Sequence, residues 1–125
     1  MMELLDIDLL EAAHGHVVFA SNPGAAHFNP LGIVHGGFAA TMLDSACGLA
    51  ANSATAVPMA CVTLEIKISY HAALTARTGP VRAIGRLLSM SKRVAFTEAR
   101  LVDAADRLYA SATSTLSVSA RRDHG

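Results

Sequence analysis

From residue 62 to residue 70, apolar and polar side chains alternate one for one. Val62, Leu64, Ile66, Ile68 and Tyr70 interleave with Thr63, Glu65, Lys67 and Ser69. A period of two predicts an antiparallel strand with one buried face. The alternation returns over 107–119, where Leu108, Ala110, Ala112, Leu116 and Val118 oppose Tyr109, Ser111, Thr113, Thr115 and Ser117. Between these runs, 81–90 and 93–102 read as two further strands joined at Ser91-Lys92, with Gly85 a candidate bulge. Gly79-Pro80 and the stretch Asp103-Ala104-Ala105-Asp106 supply the turns. Upstream, HVVFAS at 16–21 is β-branched and aromatic and predicts a strand, closed by Asn22-Pro23-Gly24. Residues 6–13 read as a first strand, a helical turn being the alternative, and His14-Gly15 turns the chain between the two.

One stretch breaks this rhythm. Residues 29–52, NPLGIVHGGFAATMLDSACGLAAN, open as a tight Gly/Pro turn and become a helix from Gly36 or Gly37 to Asn52. Phe38, Ala39, Ala40, Met42, Leu43, Ala46, Cys47, Leu49, Ala50 and Ala51 cover every face of it. A helix apolar all round is expected to be buried all round. The element order is strand, strand, helix, then four antiparallel strands. This predicts an α+β fold in which one curved antiparallel sheet wraps a long buried helix. The length suits a single domain over 1–125, and no repeat, low-complexity tract or linker divides it.

Charge changes the picture more than composition does. Net charge is zero, so neither a nucleic-acid nor a membrane-surface partner is expected. All ten Lys and Arg nevertheless lie from Lys67 onward, and six of the ten acids precede it. The basic later half suits a phosphorylated ligand. Two cysteines make no disulfide framework and fit a reducing compartment. The N-terminus, MMELLDIDLL, is acidic where a signal peptide is basic, and the apolar helix is too short to span a bilayer. A soluble cytoplasmic protein is the expectation.

From Ala12 to Leu64, Asp44 is the one formally charged side chain. A lone carboxylate in apolar company is costly to bury without a partner, and such acids are functional candidates. Gly36 and Gly37 stand at the helix N-terminus, where free N–H groups and the helix dipole favour negative charge. Together these are a base and an oxyanion donor, the needs of acyl-transfer chemistry.

The motif Asn29-Pro-Leu-Gly-Ile-Val-His35-Gly36-Gly37, with Asp44 eight residues past Gly36, resembles the hotdog-fold acyl-CoA thioesterases of the phenylacetic-acid-degradation, or PaaI-like, type. The similarity continues through CVTLEIKISYHAAL and SMSKRVAFTEARL and covers roughly residues 6–119. It implies hydrolysis of an acyl-CoA to free acid and coenzyme A, with no metal or other cofactor. Carried over by position, the Gly36 N–H polarises the thioester carbonyl. Asn29 helps to hold that carbonyl or the attacking water, and Asp44 is nucleophile or general base. Thr63 occupies the place of a hydroxyl that positions the water. His35 and Gly37 fall at substrate-binding positions, as do Tyr70 and the run Ser89, Met90, Ser91, Lys92, Arg93 and Val94 along the coenzyme A channel. Gly48 lacks the hydroxyl that some members carry one turn after the acid, which leaves open whether water or Asp44 attacks. Asp at position 44 is more like the phenylacetate-type branch than the Glu-using hydroxybenzoyl branch.

Geometry adds a condition. Eight residues of helix separate Gly36 from Asp44 by about 12 Å, too far to act on one carbonyl. Two copies paired about a two-fold axis, helices antiparallel, bring Asp44 of one to Gly36 of the other. A homodimer with shared sites is therefore expected, in keeping with the family's dimers and dimers of dimers.

Each residue also has a plainer reading. Asp44 is otherwise a structural acid bonded to the partner helix; His35 and Asn29 are turn residues; Thr63 is an ordinary strand threonine. Lys92, Arg93 and Arg86 are otherwise a solvated face. Phe38, Met42, Met59 and Met90 suit either a flexible acyl pocket or the core. His14, His16, His27 and His71 form no persuasive metal-ligand set, Ser45 lacks a nucleophile-elbow context, and mid-helix Cys47 reads as packing. Two rival functions share the fold. One is a non-catalytic acyl-CoA-binding module. The other is a hydratase or dehydratase, disfavoured because no His follows Asp44 on the helix.

Overall fold

A computed structural model of the chain describes residues 7–22, 36–55, 59–75 and 77–120. Strands β1 (Ile7–Ala13) and β2 (His16–Ser21) precede helix α1 (Gly36–Ser53). Strands β3 (Met59–Tyr70), β4 (Val81–Met90), β5 (Val94–Asp103) and β6 (Leu108–Ala120) follow it. They form one antiparallel sheet in the order β1-β2-β4-β5-β6-β3, so the segment containing α1 carries the chain from β2 to the far edge. This is the expected α+β layout, one helix lying on a six-stranded sheet.

The helix and sheet meet at a glycine. A Cβ added at Gly85 would stand 2.3 Å from the carbonyl oxygen of Ala46, nearer than any side chain fits. Gly85 is therefore not the bulge expected of it. It pairs in regular register with Val17 on one side and Ala99 on the other. The β4 bulge falls instead between Leu87 and Ser89. Glycine is needed at 85 because the helix backbone rests there. Alanines extend the contact: Ala39, Ala46 and Ala50 on the helix, and Ala83, Ala99, Ala110 and Ala112 on the sheet, all belong to the main core. Met42, Leu43, Val17, Val81 and Leu101 fill the space around them and are fully buried.

Burial of α1 is one-sided within the chain. Phe38, Ala39, Met42, Leu43, Ala46, Cys47, Ala50 and Ala51 face the sheet. Gly36, Gly37, Asp44 and Asn52 are exposed, with Thr41, Ser45 and Gly48 half-buried beside them. The expectation of all-round burial is thus not met by one copy. Polar and glycine positions spaced three and four apart mark the open side, a pattern the many alanines obscure in the sequence. The C-terminal end is tied down: Ser53 Oγ donates to Ala50 O at 2.9 Å and accepts from Gly15 N at 2.9 Å. Gly15 sits at φ +73 in the β1–β2 turn, a conformation glycine adopts without steric cost.

A second departure concerns β3. Thr63 pairs with Leu116 and Glu65 with Thr115, so Leu64 is an extra residue and the strand bulges there. The bulge reverses the alternation. Before it, Cys61 and Thr63 pair with Val118 and Leu116 on the helix-facing side. After it, Ile66, Ile68 and Tyr70 pair with Ser114, Ala112 and Ala110 on that same side. Val62 and Leu64 are left exposed instead of sharing a buried face with Ile66 and Ile68. A similar shift between Leu101 and Val102 accompanies the burial of Tyr109, which the alternation had placed with the polar set. No helix among the described residues is long and apolar enough to cross a membrane.

The β5–β6 turn hangs on one carboxylate. Asp103 Oδ1 accepts from Ala105 N and Arg107 N, both at 2.9 Å, while Tyr109 donates to Oδ2 at 3.1 Å. The Arg107 backbone bond is the chief cause that holds this carboxyl below its ordinary pKa, against a smaller upward push from desolvation.

Two measurements follow. Gly85→Ala forces the helix off its seat, an overpacking defect of about 1–3 kcal/mol. Its thermal midpoint should drop by several degrees. Asp103, with its lowered pKa, stabilises the fold fully above the ordinary carboxylate pKa, and that contribution fades as pH falls through the lowered value. The melting difference between wild type and Asp103→Ala should therefore be largest near neutrality and narrow in acid.

Candidate functional site

The bulge at Leu64 delivers a hydroxyl to the one acid of the helix. Thr63, turned toward α1, donates from Oγ1 to Asp44 Oδ1 at 3.0 Å. Asp44 itself projects from the open side of the helix and is exposed, not buried as a lone acid in apolar company suggested. The bond fixes the carboxylate's orientation.

A second pair forms one station further along. Tyr70 Oη donates to Gly36 O at 2.9 Å, and a Cβ at Gly36 would meet that oxygen at 3.4 Å. Gly36 and Gly37 open the helix, and no acid occupies its first turn. The dipole's positive end therefore meets no carboxylate from its own turn. Helix α1 and strand β3 run antiparallel, so Gly36 lies over Tyr70 while Asp44 lies over Thr63. Eight residues of rise keep the two pairs about 12 Å apart within a chain.

The remaining candidates fall at the other end of the helix or outside the described residues. Asn29 and His35 lie outside them. Ser89 and Met90 end β4, Val94 begins β5, and Ser91, Lys92 and Arg93 form the exposed turn between. Ser91 N donates to Val94 O at 2.8 Å, and Val118 N to Arg93 O at 2.7 Å. Met90 packs with Ala51, at the end of the helix opposite Gly36. A shallow concavity of about 450 Å³ beside the turn is lined by Met59, Lys92, Arg93 and the last residues of β6. One chain therefore brings Thr63 to Asp44 and Tyr70 to Gly36, but does not bring the basic turn to either pair.

Of the side chains considered for an acyl pocket, Phe38 and Met42 are in the main core, and Met59 and Met90 pack in a smaller cluster around Ala51. A different cavity, of about 320 Å³, opens beside Gly36 and Tyr70. The sequence reading missed it. Its one local signal is the pair of small residues Ala72-Ala73 immediately after β3.

Cys47 is wholly buried. Burial pushes its thiol up to about 11, outweighing the Thr97 hydroxyl beside it. A thiol so placed is a packing residue and no nucleophile. Cys61, half-buried, is also raised by burial. Among the described residues, no three His, Cys, Asp or Glu side chains gather to hold a metal ion.

The fold and the helix-terminal glycines define a class. Residues 31–110 match the thioesterase superfamily, and the chain belongs to that family of hotdog-fold thioester hydrolases. Among solved structures it is similar to a mutant of the phenylacetic acid degradation protein PaaI from Thermus thermophilus. The two share 32% identity over 93% of this chain and 96% of that one, with a TM-score of 0.84. It is likewise similar to the conserved protein PA5202 from Pseudomonas aeruginosa, at 31% identity over 94% and 91% of the two chains and a TM-score of 0.87. The protein smu.793 from Streptococcus mutans UA159, solved bound to acetyl CoA, shares the fold at 24% identity, with coverage of 94% and 91% and a TM-score of 0.84. No curated protein matches the chain.

The cysteines offer a direct check on the packing of the site. At pH 8 a thiol with a pKa near 11 is ionised to about one part in a thousand. A disulfide reagent should label Cys61 first in the native protein and reach Cys47 only on unfolding. Rapid native labelling of both would contradict the burial described.

Proposed function

We propose that the protein hydrolyses acyl-CoA thioesters to the free acid and coenzyme A, at sites shared between two copies of the chain. The observation that carries this reading is the separation of the two pairs. An exposed carboxylate oriented by Thr63 and an open glycine-led helix terminus held by Tyr70 lie on the same side of one helix, about 12 Å apart. An antiparallel pairing of two helices matches Asp44 of each copy with Gly36 of the other. The small residues of the open side, Gly37, Ser45 and Gly48, permit close approach, and β3 presents a free sheet edge for pairing.

In this reaction the thioester carbonyl accepts a hydrogen bond from the Gly36 N–H, where the developing oxyanion also meets the helix dipole. Water adds to the carbonyl carbon, and Asp44 of the other copy takes its proton. The tetrahedral intermediate collapses, the C–S bond breaks, and the departing sulfur receives that proton. Direct attack by Asp44, through a mixed anhydride that water then opens, uses the same geometry. Thr63 keeps the carboxylate aimed in either route. Asn29 helps to hold the carbonyl or the attacking water, His35 is a substrate-binding residue, Gly37 and Tyr70 line the mouth, and the run Ser89 to Val94 borders the coenzyme A path. Lys92 and Arg93 supply positive charge for its phosphates. The acetyl CoA bound by smu.793, on the same fold, supports this ligand class. Exposed Val62, Leu64, Leu88 and Phe96 on the outer face of the sheet suit the joining of two dimers.

The test uses two variants, singly and mixed. Asp44→Asn should reduce thiol release from an acyl-CoA panel by about 10²–10⁴-fold, the usual worth of a general base, with the fold and oligomer intact. Gly36→Val should also be inactive. Mixed dimers of the two contain one site with both wild-type groups, so turnover should reappear on mixing. Sites contained within one chain would stay dead. Turnover undiminished in Asp44→Asn would sink the role given to the acid, and binding of acyl-CoA without thiol release by the wild type would mark a non-catalytic module.

A further inference from the structure

Strand β3 ends the sheet, so its outer edge has no neighbour within the chain. Beyond the bulge its side chains sort by face. Ile66, Ile68 and Tyr70 turn to the helix, while Glu65, Lys67 and Ser69 pair with Thr115, Thr113 and Ser111 on the opposite face. Glu65 and Lys67 are exposed, and neither forms an ion pair among the described residues. The row through Glu65 continues across the sheet as Thr115, Phe96 and Ser89 and holds no cation. The row through Lys67 reaches one acid, Glu98, which Arg86 already holds. Two opposite charges thus stand unanswered on a free edge.

Shared sites fix where two such edges meet. Asp44 lies over Thr63 and Gly36 over Tyr70, so matching Asp44 with Gly36 of the other copy sets Thr63 near Tyr70 of the other copy. The two-fold axis then crosses β3 midway, between Ile66 and Lys67. Residues directly opposite in an antiparallel pair point to the same face. An axis between two residues would set an outward side chain against an inward one, so the axis passes through Ile66 or through Lys67. A slip by two residues keeps every side chain on its own face, so the apolar pattern does not choose between these registers. Charge does. Through Lys67, that lysine meets its own copy, and like charges directly opposite are unfavourable. Through Ile66, Glu65 meets Lys67 of the other copy, once on each side of the axis. The four charges then alternate in sign around a rectangle, about 5 Å across the strands and about 7 Å along them.

We infer that Glu65 and Lys67 are positioning residues. Paired across the joint between two copies, they hold β3 against β3 with Ile66 opposite itself, and so aim Asp44 of each copy at Gly36 of the other. The inference rests on the shared-site reading above and deepens it by naming the pair that sets the alignment. Each opposite-charge pair across strands favours its register by up to about fivefold, and two by up to about 25-fold. The rival register displaces one copy by two residues, about 7 Å. A misplacement of about 1 Å is enough to cost a site about a hundredfold in rate.

Charge reversal tests the pair. Glu65→Lys or Lys67→Glu alone sets like charges opposite, and each should lower kcat by about tenfold or more as the register slips. The double variant Glu65→Lys/Lys67→Glu reverses both signs together and should recover turnover. When the two single variants are co-expressed with different tags, their mixed dimer has opposite signs at every pairing. Native mass spectrometry should then find it in excess of each like dimer by about twentyfold or more, against about twofold for random pairing. If a single variant does not fold by itself, this co-expressed pair decides. Ile66→Cys should form a disulfide between copies on mild oxidation, because Cα atoms directly opposite lie about 5 Å apart. Random pairing of the charge variants in an active dimer, or no Ile66→Cys crosslink in a dimer, would overturn the assignment and leave the shared site standing. A monomeric wild type that releases thiol from acyl-CoA would overturn both. Selective pairing with no thiol released by the wild type would support the pair and sink hydrolysis.

Discussion

The arrangement of this molecule depends on a contact between two backbones. The carbonyl of Ala46 lies over Gly85 with no room for a side chain between them. A floor of alanines on β4, β5 and β6 and a matching set on α1 bring helix and sheet together over several turns. So close a seat leaves the helix little freedom to roll. Its rotation decides which residues face away from the sheet, and these include Gly37, Asp44 and Asn52. The carboxylate is thereby presented beside the edge strand, within reach of the Thr63 hydroxyl. A helix packed through larger side chains would stand higher and turn more freely, and the acid would not be fixed against β3. Small residues at this seam lose apolar area that larger ones would bury. The gain is definition, because close-packed interiors resist displacement.

Much of this was legible in the pattern of side chains. Period-two runs mark the strands, the long apolar stretch marks the helix, and two glycines mark where it begins. The isolation of Asp44 in an otherwise uncharged region singles it out. What stayed hidden has a common cause. A bulge changes which face a residue points to without breaking the alternation in the sequence. Val62, Leu64, Ile66 and Ile68 read as one buried row, yet the extra residue at Leu64 splits it and turns Thr63 inward. Tyr109 reads as polar-side and is buried for the same kind of reason. Gly85 invites a bulge because glycine often marks one, whereas here it marks the approach of another backbone, which only the tertiary structure reveals. The one-sidedness of the helix was masked by alanine, which packs equally well in a core and on a lightly covered face.

Strand β3 couples these features. Its bulge divides it into two segments that both face the helix, one through Cys61 and Thr63, the other through Ile66, Ile68 and Tyr70. Without the extra residue, the alternation could not place both Thr63 and Tyr70 on the helix side, because seven positions separate them and odd separations fall on opposite faces. One inserted residue converts that odd spacing into an even one. The same strand then contacts both the acid of the helix and the glycine at its start, at two stations set by the antiparallel run of helix and strand.

The two sides of the helix start divide the environment of any group held there. Ala39 faces the cavity and Asp44 the open side, five residues and so about 140° apart around the axis. Gly36 stands between that cavity and a polar, exposed flank. Tyr70 holds the helix start in place through the Gly36 carbonyl while its ring forms part of the pocket wall. A side chain in that dual position ties the shape of the pocket to the aim of the amide, so that what fills the one bears on the other.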